Sequence, residues 1–145
     1  MDGFAKIVFP LSPDEEGYPP FCAETMWAEP LASGLHRVDN IPFFVRGLAY
    51  GDEVETALVD GAPTFVRVVR WGGHRTVRLL VRSRATTQAI RDELRALGCR
   101  SELHSDGILV AVDVPPAVPA DTIRAFLDAG VSADRFEYEL SLIHI

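Results

Sequence analysis

Three polar residues have the side chains from which a binding pocket or an active site could be built: Glu24, Asn40 and Arg78. Glu24 lies in a stretch that alternates like a β-strand, so it faces the same way as Met26 and away from Trp27. An inward carboxylate needs a partner for its charge, and an arginine such as Arg78 is the natural one. The pattern predicts either a polar pocket on these three residues or a surface ion pair that contributes little stability.

Aromatic residues near the same positions suggest a second kind of site. Trp27, Pro42, Phe43 and Phe44 could line an exposed groove for a peptide or a protein partner, because aromatic side chains dominate binding hot spots. Large aromatic side chains are also the usual filling of a barrel core. Both interpretations stay open at this point.

Arginine is concentrated between residues 67 and 84, where six of the 14 basic residues lie without any acidic one. They are Arg67, Arg70, Arg75, Arg78, Arg82 and Arg84. A hairpin of this composition could bind an anion or RNA, with Trp71 available for stacking. The alternative is cross-strand pairing with the preceding acids, which the net charge of −7 favours. Those acids are Asp52, Glu53, Glu55 and Asp60.

Metal and cofactor chemistry has little support in the chain. His36, His74 and His104 are scattered, and neither Cys-x-x-Cys nor His-x-x-x-His spacing occurs. Gly72-Gly73 does not belong to a phosphate-binding loop and predicts a hairpin turn. We therefore predict no metal and no cofactor.

Neither cysteine has the surroundings of a nucleophile. Cys22 lies near Glu24 without the histidine that would activate it, and Cys99 follows the end of a predicted helix. We predict two free, buried thiols in a reduced cytosolic protein, and no catalytic residue.

Composition predicts a soluble globular protein of the cytoplasm. The 145 residues are 48% hydrophobic and 24% charged, which fits one compact domain or two small subdomains. The net charge of −7 disfavours nucleic acid and anionic membranes. We find no membrane-spanning apolar run and no secretory signal.

The first half, residues 1–72, is predicted to be β-rich. Strands are expected over Lys6–Leu11, Cys22–Ala28, Leu35–Val38, Glu53–Val59 and Thr64–Trp71, with an extended or edge segment over Ile41–Leu48. Asp60-Gly61 predicts a tight hairpin turn. Strands at this spacing favour a curved antiparallel sheet or a small β-barrel.

The second half, residues 73–139, alternates strands and helices. Strands are expected over Thr76–Arg82, Cys99–His104, Gly107–Val114 and Phe136–Glu139; one helix runs from Thr86 or Thr87 to Gly98, and another from Pro119 to Gly130. The order strand, helix, strand, strand, helix, strand is the ferredoxin-like split-βαβ arrangement. We predict an α+β protein in which this unit packs with the β-rich half around one shared core.

Of the 14 basic residues of the chain, 13 are arginine, a composition typical of GC-rich bacterial genomes. The last six residues, Leu140–Ile145, do not follow this GC-rich composition. They look like a translated sequencing adapter. We expect a non-native tail at residues 140–145 and a metagenomic origin.

Short motifs along the chain carry a resemblance to a known family. They are Tyr18-Pro19-Pro20, Glu24–Ala28, Asn40–Phe43, Gly51–Val54, Gly73–Arg78, Leu97–Cys99 and Val112–Pro115. In this order they resemble a bacterial family catalogued as domain of unknown function 4265, over about residues 5–139. The resemblance implies a small bacterial protein of no established activity, and it carries over no catalytic residue.

Taken together, these observations predict a non-enzymatic binding or interaction protein, for a small ligand or for a protein, in one version an immunity or antitoxin-like partner. The alternatives are an enzyme with a pocket around Glu24, Asn40 and Arg78, and anion or RNA binding through the Arg67–Arg84 hairpin. The candidate binding residues are Glu24, Trp27, Asn40, Phe43, Asp52, His74 and Arg78.

Overall fold

A five-stranded barrel forms the N-terminal part of the computed structural model, which describes residues 3–140. Its strands are β1 (Ala5–Pro10), β2 (Ala23–Pro30), β3 (His36–Val38), β4 (Glu53–Val59) and β5 (Ala62–Arg70). Neighbouring strands are antiparallel except β1 and β5, which pair in parallel at Val8 and Thr64 and close the barrel. Its core is apolar and includes Ile7, Phe9, Met26, Val38 and Val54.

The turn between β4 and β5 is the predicted hairpin. Asp60 and Gly61 have φ angles of 51° and 80°, and Val59 pairs with Ala62 across them. Positive φ at both central residues matches the right-handed twist of the flanking strands. This local prediction is confirmed.

A four-stranded antiparallel sheet with two helices forms the second part. Its elements are β6 (Arg75–Val81), α1 (Arg84–Ala96), β7 (Arg100–Leu103), β8 (Leu109–Val114), α2 (Ala120–Ser132) and β9 (Phe136–Leu140). The strand order is β7-β8-β6-β9. Val77, Leu79 and Val81 pack with both helices in a second apolar cluster. On the other face of this sheet, Thr76 and Arg78 donate hydrogen bonds to backbone carbonyls of residues 43–48.

The predicted hairpin between β5 and β6 is wrong. β5 pairs with β4 and, at Thr64, with Val8 of β1, whereas β6 pairs with β8 and β9 in the second sheet. Gly72-Gly73 instead carries the chain from the barrel to the second sheet, so Arg67 and Arg70 lie in one sheet and Arg75 and Arg78 in the other. A Cβ at Gly72 would lie 2.7 Å from the carbonyl oxygen of Gly51, so only glycine fits this crossing.

The ends of α1 and α2 differ from the predictions. α1 is capped by Ser83, whose hydroxyl accepts a hydrogen bond from Ala85 N at 3.3 Å, rather than by Thr86 or Thr87. α2 continues through Gly130 to Ser132. Gly130 is required for packing, because a Cβ there would lie 2.0 Å from the ring of Phe136.

Residues 39–52, which we call the connector, join β3 to β4. The prediction of an extended or edge segment over Ile41–Leu48 is wrong, since this stretch consists of turns and irregular backbone. Pro42 has no amide to donate, and Gly47 has a φ of 69°. Val45 and Leu48 of the connector pack into the barrel core. The connector thereby lies between the barrel and the second sheet.

The two thiols have different surroundings. Cys99 is buried, whereas Cys22 lies just before β2 and is exposed, so the prediction of two buried thiols is wrong for Cys22.

The predicted non-native tail begins at Leu140, which is the last residue of β9, and residues 141–145 lie outside the described residues. None of the helices within residues 3–140 is long and apolar enough to cross a bilayer.

Candidate functional site

Glu24 holds the backbone of the connector. Its Oε2 accepts a hydrogen bond from Phe43 N at 2.7 Å, and its Oε1 accepts from Phe44 N at 3.0 Å and from Val45 N at 3.1 Å. The irregular connector has no neighbouring strand to accept these bonds, so the carboxylate satisfies three backbone donors. The same three bonds stabilise the negative charge on Glu24.

Arg78 holds the same backbone from the second sheet. Its Nε donates to the Phe43 carbonyl and its Nη2 to the Val45 carbonyl, while Nη1 lies 3.5 Å from Glu139 Oε1. Burial lowers the pKa of Arg78, and the charges of Glu139 and Glu24 partly offset that effect. Glu24 and Arg78 are thus linked through the connector.

A cavity of about 270 Å³, which we call the seam pocket, lies where the barrel, the connector and β7 meet. It is lined by Lys6, Glu24, Thr25, Met26, Trp27, Asn40, Ile41, Phe43 and Glu102. Four of the candidate residues from the sequence therefore lie around one cavity. Arg78 lies outside it, in a groove shared with Glu139.

Asn40 joins the two sides of the seam pocket. Its Oδ1 accepts a hydrogen bond from Trp27 N at 2.6 Å, and its side chain hydrogen-bonds with Glu102. The Lys6 ammonium lies 5.2 Å from the centre of the Trp27 ring, a cation–π contact at the wall of the pocket. The pocket thus presents an amide, an aromatic ring, an ammonium and two carboxylates.

Glu102 is a partly buried carboxylate of this pocket whose burial is only partly compensated by its neighbours. Burial raises the pKa of Glu102, and the nearby charge of Glu24 raises it further. The Asn40 hydrogen bond and the charges of Arg100 and Arg91 act in the opposite direction without cancelling the rise. Glu102 was missed in the sequence because alternation along β7 gives the face of the strand and not its neighbours.

Asp52 has a structural environment away from the seam pocket. It is fully buried; Oδ2 accepts from Ala49 N at 2.9 Å and Oδ1 from Gly72 N at 2.8 Å. These bonds tie the end of the connector to the crossing between the two sheets. Buried carboxylates with such partners are common in cores, and we assign Asp52 no ligand contact.

His74 belongs to a separate polar cluster. Its Nδ1 lies 2.8 Å from Oδ1 of the buried Asp113, whose Oδ2 lies 3.4 Å from Arg100 Nη2. The Arg100 guanidinium stacks at 4.3 Å on the ring of Tyr50, which also meets the His74 ring edge-on at 5.3 Å. The cluster ties the connector to β7 and β8, and sequence reasoning missed Asp113 and Arg100.

Carboxylates accompany several of the clustered arginines. Arg67 Nε lies 2.7 Å from Glu55 Oε1, an ion pair between β5 and β4 of the predicted cross-strand kind. Arg82 contacts Asp134 at 3.1 Å and Glu137 at 3.3 Å. This pairing favours a structural use of the arginines over an anion-binding surface.

The aromatic side chains of the connector lie outside the barrel core. Phe44 packs at 5.3 Å from Phe21 and at 6.2 Å from Tyr18, and Phe43 lies 5.4 Å from His104. Tyr18 and Phe21 are 47% and 45% exposed. These rings form a partly exposed aromatic cluster at the junction of the two sheets.

Comparison with known proteins identifies one family and one related fold. A family model described as Domain of unknown function (DUF4265) matches residues 24–138. A solved structure titled "Novel crystal structure of a hypothetical protein from Neisseria gonorrhoeae" is similar with a TM-score of 0.80 at 17% identity, over 97% of this chain and 96% of that chain. At this identity the likeness concerns the fold alone. No curated protein matches the chain.

Proposed function

We propose that this chain, which belongs to the Domain of unknown function (DUF4265) family, is a non-enzymatic binding protein for a small ligand. The name of the family assigns no activity, so the proposal rests on the geometry of the seam pocket. The observation that carries this proposal is the convergence of Glu24, Trp27, Asn40 and Phe43 around one cavity of about 270 Å³. Concave sites with a few convergent polar groups are the usual sites of small ligands.

The chemistry of the pocket supports binding rather than catalysis. Both oxygens of Glu24 accept backbone hydrogen bonds, and Asn40 is held by Trp27 N. Groups fixed in this way are well suited to orienting a ligand without a large entropic cost. Lys6, Trp27 and Glu102 remain to contact it directly.

A single-tryptophan variant tests the proposal. Trp71→Phe leaves Trp27 as the only indole, and a ligand in the seam pocket will change its emission in a screen of small metabolites. Trp27→Phe, which keeps only Trp71, is the matched control and will not respond. A panel that leaves Trp27 emission unchanged throughout contradicts the proposal. Consumption of a bound metabolite would favour the alternative, an enzyme with its pocket around Glu24, Asn40 and Arg78.

The aromatic cluster favours a second candidate function, the binding of a protein partner. Tyr18 and Phe21 expose 47% and 45% of their surface beside Phe44, and exposed aromatic rings are typical of binding hot spots. An immunity or antitoxin-like role would use this surface together with the net charge of −7. A pull-down from the native host with the Phe21→Ala variant as control tests it, and equal recovery by both proteins contradicts it.

Anion or RNA binding through the arginines of residues 67–84 is the weakest of the alternatives, because Arg67 and Arg82 already contact carboxylates. It requires an affinity that falls steeply with salt. RNA binding that is insensitive to salt would rule out this mode.

We further propose that the second sheet and its helices are a ferredoxin-like unit, and that residues 1–72 and 73–139 are the two structural units of a cytoplasmic protein. The strand order β7-β8-β6-β9 with antiparallel neighbours supports the split-βαβ arrangement. The separate apolar clusters of the barrel and of the helical side support the division.

A further inference from the structure

Glu102 lies at the junction of two cavities. It lines the seam pocket and also a neighbouring cavity of about 180 Å³, whose other walls include Asp39, Tyr50 and Arg100. Ile41 is likewise shared by both cavities. The two cavities therefore adjoin at Glu102 and Ile41.

The carboxylate of Glu102 has no ion-pair partner among the described residues. The charged or polar groups that face it are Asn40, Glu24, Arg91 and Arg100. Arg91 donates instead to the hydroxyl and the carbonyl of Ser101, at 2.9 and 3.0 Å. Arg100 is engaged by Asp113 at 3.4 Å and by the Tyr50 ring. A half-buried carboxylate in this situation gains free energy from any cation that reaches it.

The charge of the two cavities also favours a cation. Three carboxylates line them, on Asp39, Glu24 and Glu102, against the two basic groups of Lys6 and Arg100. The Trp27 ring already faces an ammonium group, that of Lys6 at 5.2 Å. Carboxylate and aromatic faces together are the surroundings in which organic cations bind.

From these contacts we propose that the ligand of the seam pocket is a protonated organic amine, and that Glu102 binds its nitrogen while Trp27 packs against its carbon chain. This inference rests on the proposed function and specifies its ligand class. It gives Glu102 a role in binding that the connector-holding Glu24 does not have.

Three four-carbon probes with different end groups test the inference by calorimetry: putrescine, 1,4-butanediol and succinate. We expect putrescine to bind at least about tenfold more tightly than the other two, because only its ammonium can pair with Glu102. Glu102→Gln should weaken putrescine binding by about tenfold or more. Glu55→Gln, which removes the same charge at a barrel ion pair outside the pocket, should leave it unchanged.

A second variant shows whether weaker binding by E102Q comes from the lost charge or from a loss of fold. Glu102→Asp keeps the charge but withdraws it by one methylene, so it should weaken binding partially and keep the preference for putrescine. Equal binding of succinate and putrescine, or unchanged binding by E102Q, would overturn the inference. If Trp27 emission responds to other metabolites and not to amines, the amine inference fails while the proposed function stands. If nothing alters Trp27 emission, both fail.

Discussion

Glu24 and Arg78 bind opposite edges of the same short stretch of backbone. The carboxylate of Glu24 accepts the amides of residues 43–45, and the guanidinium of Arg78 donates to the carbonyls of residues 43 and 45. One side chain comes from the barrel and the other from the second sheet. This arrangement fixes the connector, and with it Asn40 and Phe43, in the wall of the seam pocket.

Removal of Glu24 should destabilise the protein markedly. Glu24→Ala leaves three partly buried backbone donors without an acceptor, and we expect the free energy of unfolding to fall by roughly 2–4 kcal/mol in urea denaturation. Glu29→Ala is the matched control on β2, since Glu29 forms only an exposed ion pair with Arg37. Its loss should cost less than about 1 kcal/mol.

A double-mutant cycle can measure the coupling through the connector. Arg78→Ala alone should also destabilise, because it leaves two connector carbonyls without their donor. Once either residue has been removed, the connector is already loosened, so the double variant should lose less than the sum of the two single losses. Additive losses would mean that Glu24 and Arg78 act independently.

The raised pKa of Glu102 predicts a specific pH dependence of stability. An acid whose pKa is higher in the folded state than in the unfolded state contributes stability that is complete below the unfolded value and is lost as pH rises through the folded one. Glu102→Gln removes this contribution. The stability of E102Q relative to wild type should therefore be greatest near neutral pH and fall as the solution is acidified.

Subtraction of the two stability curves isolates Glu102. Glu93 and Asp106 have lowered pKa values, because of hydrogen bonds from Arg135 and from the backbone, and both proteins lose that stability equally in acid. A stability difference that is independent of pH, or that grows in acid, would contradict the assignment.

Gly130 should not tolerate alanine. In an unobstructed helix the change from glycine to alanine stabilises by about 1 kcal/mol. At Gly130 the added methyl group would meet the Phe136 ring, so we expect thermal unfolding to show a loss of about 1–3 kcal/mol instead. The double variant G130A/F136L should recover part of that loss. A stabilised G130A protein would show that the ring moves aside without cost.

The two cysteines should react at very different rates with a thiol reagent. Cys22 is exposed, whereas Cys99 is buried and its pKa is raised by burial and by the charge of Asp113. We expect one rapidly labelled thiol in the native protein and two after denaturation. Cys22→Ser should abolish the rapid phase. Two rapid equivalents in the native protein would contradict the burial of Cys99.

Local patterns in the sequence were sufficient for the barrel strands and their turns. Glu53–Val59 forms a strand with the predicted bounds, and Asp60-Gly61 makes the turn that follows, because alternation and turn chemistry depend on adjacent residues. The connector could not be predicted in this way. Its backbone partners lie 19 to 21 residues away at Glu24, and 33 or 35 residues away at Arg78.

The candidate site was predictable only on its barrel side. Glu24 and Trp27 share one strand. An inward carboxylate needs hydrogen-bond donors, so the sequence already indicated that Glu24 has partners in the fold. Glu102 comes from β7, an edge strand whose place in the sheet depends on the order of all four strands. Nothing near Glu102 in the chain indicates that it faces Asn40.

Asn40 and Gln88 carry the only side-chain amides of the chain, so a nitrogen–proton correlation spectrum contains one such pair of signals for each. Asn40 lines the seam pocket, whereas Gln88 lies exposed on α1 and bonds to Asp92. Titration with a metabolite that changes Trp27 emission should shift the Asn40 signals together with the Trp27 indole signal and leave the Gln88 signals in place. Shifts of Gln88 alone, or unchanged Asn40 signals at saturation, would contradict a binding site in the seam pocket.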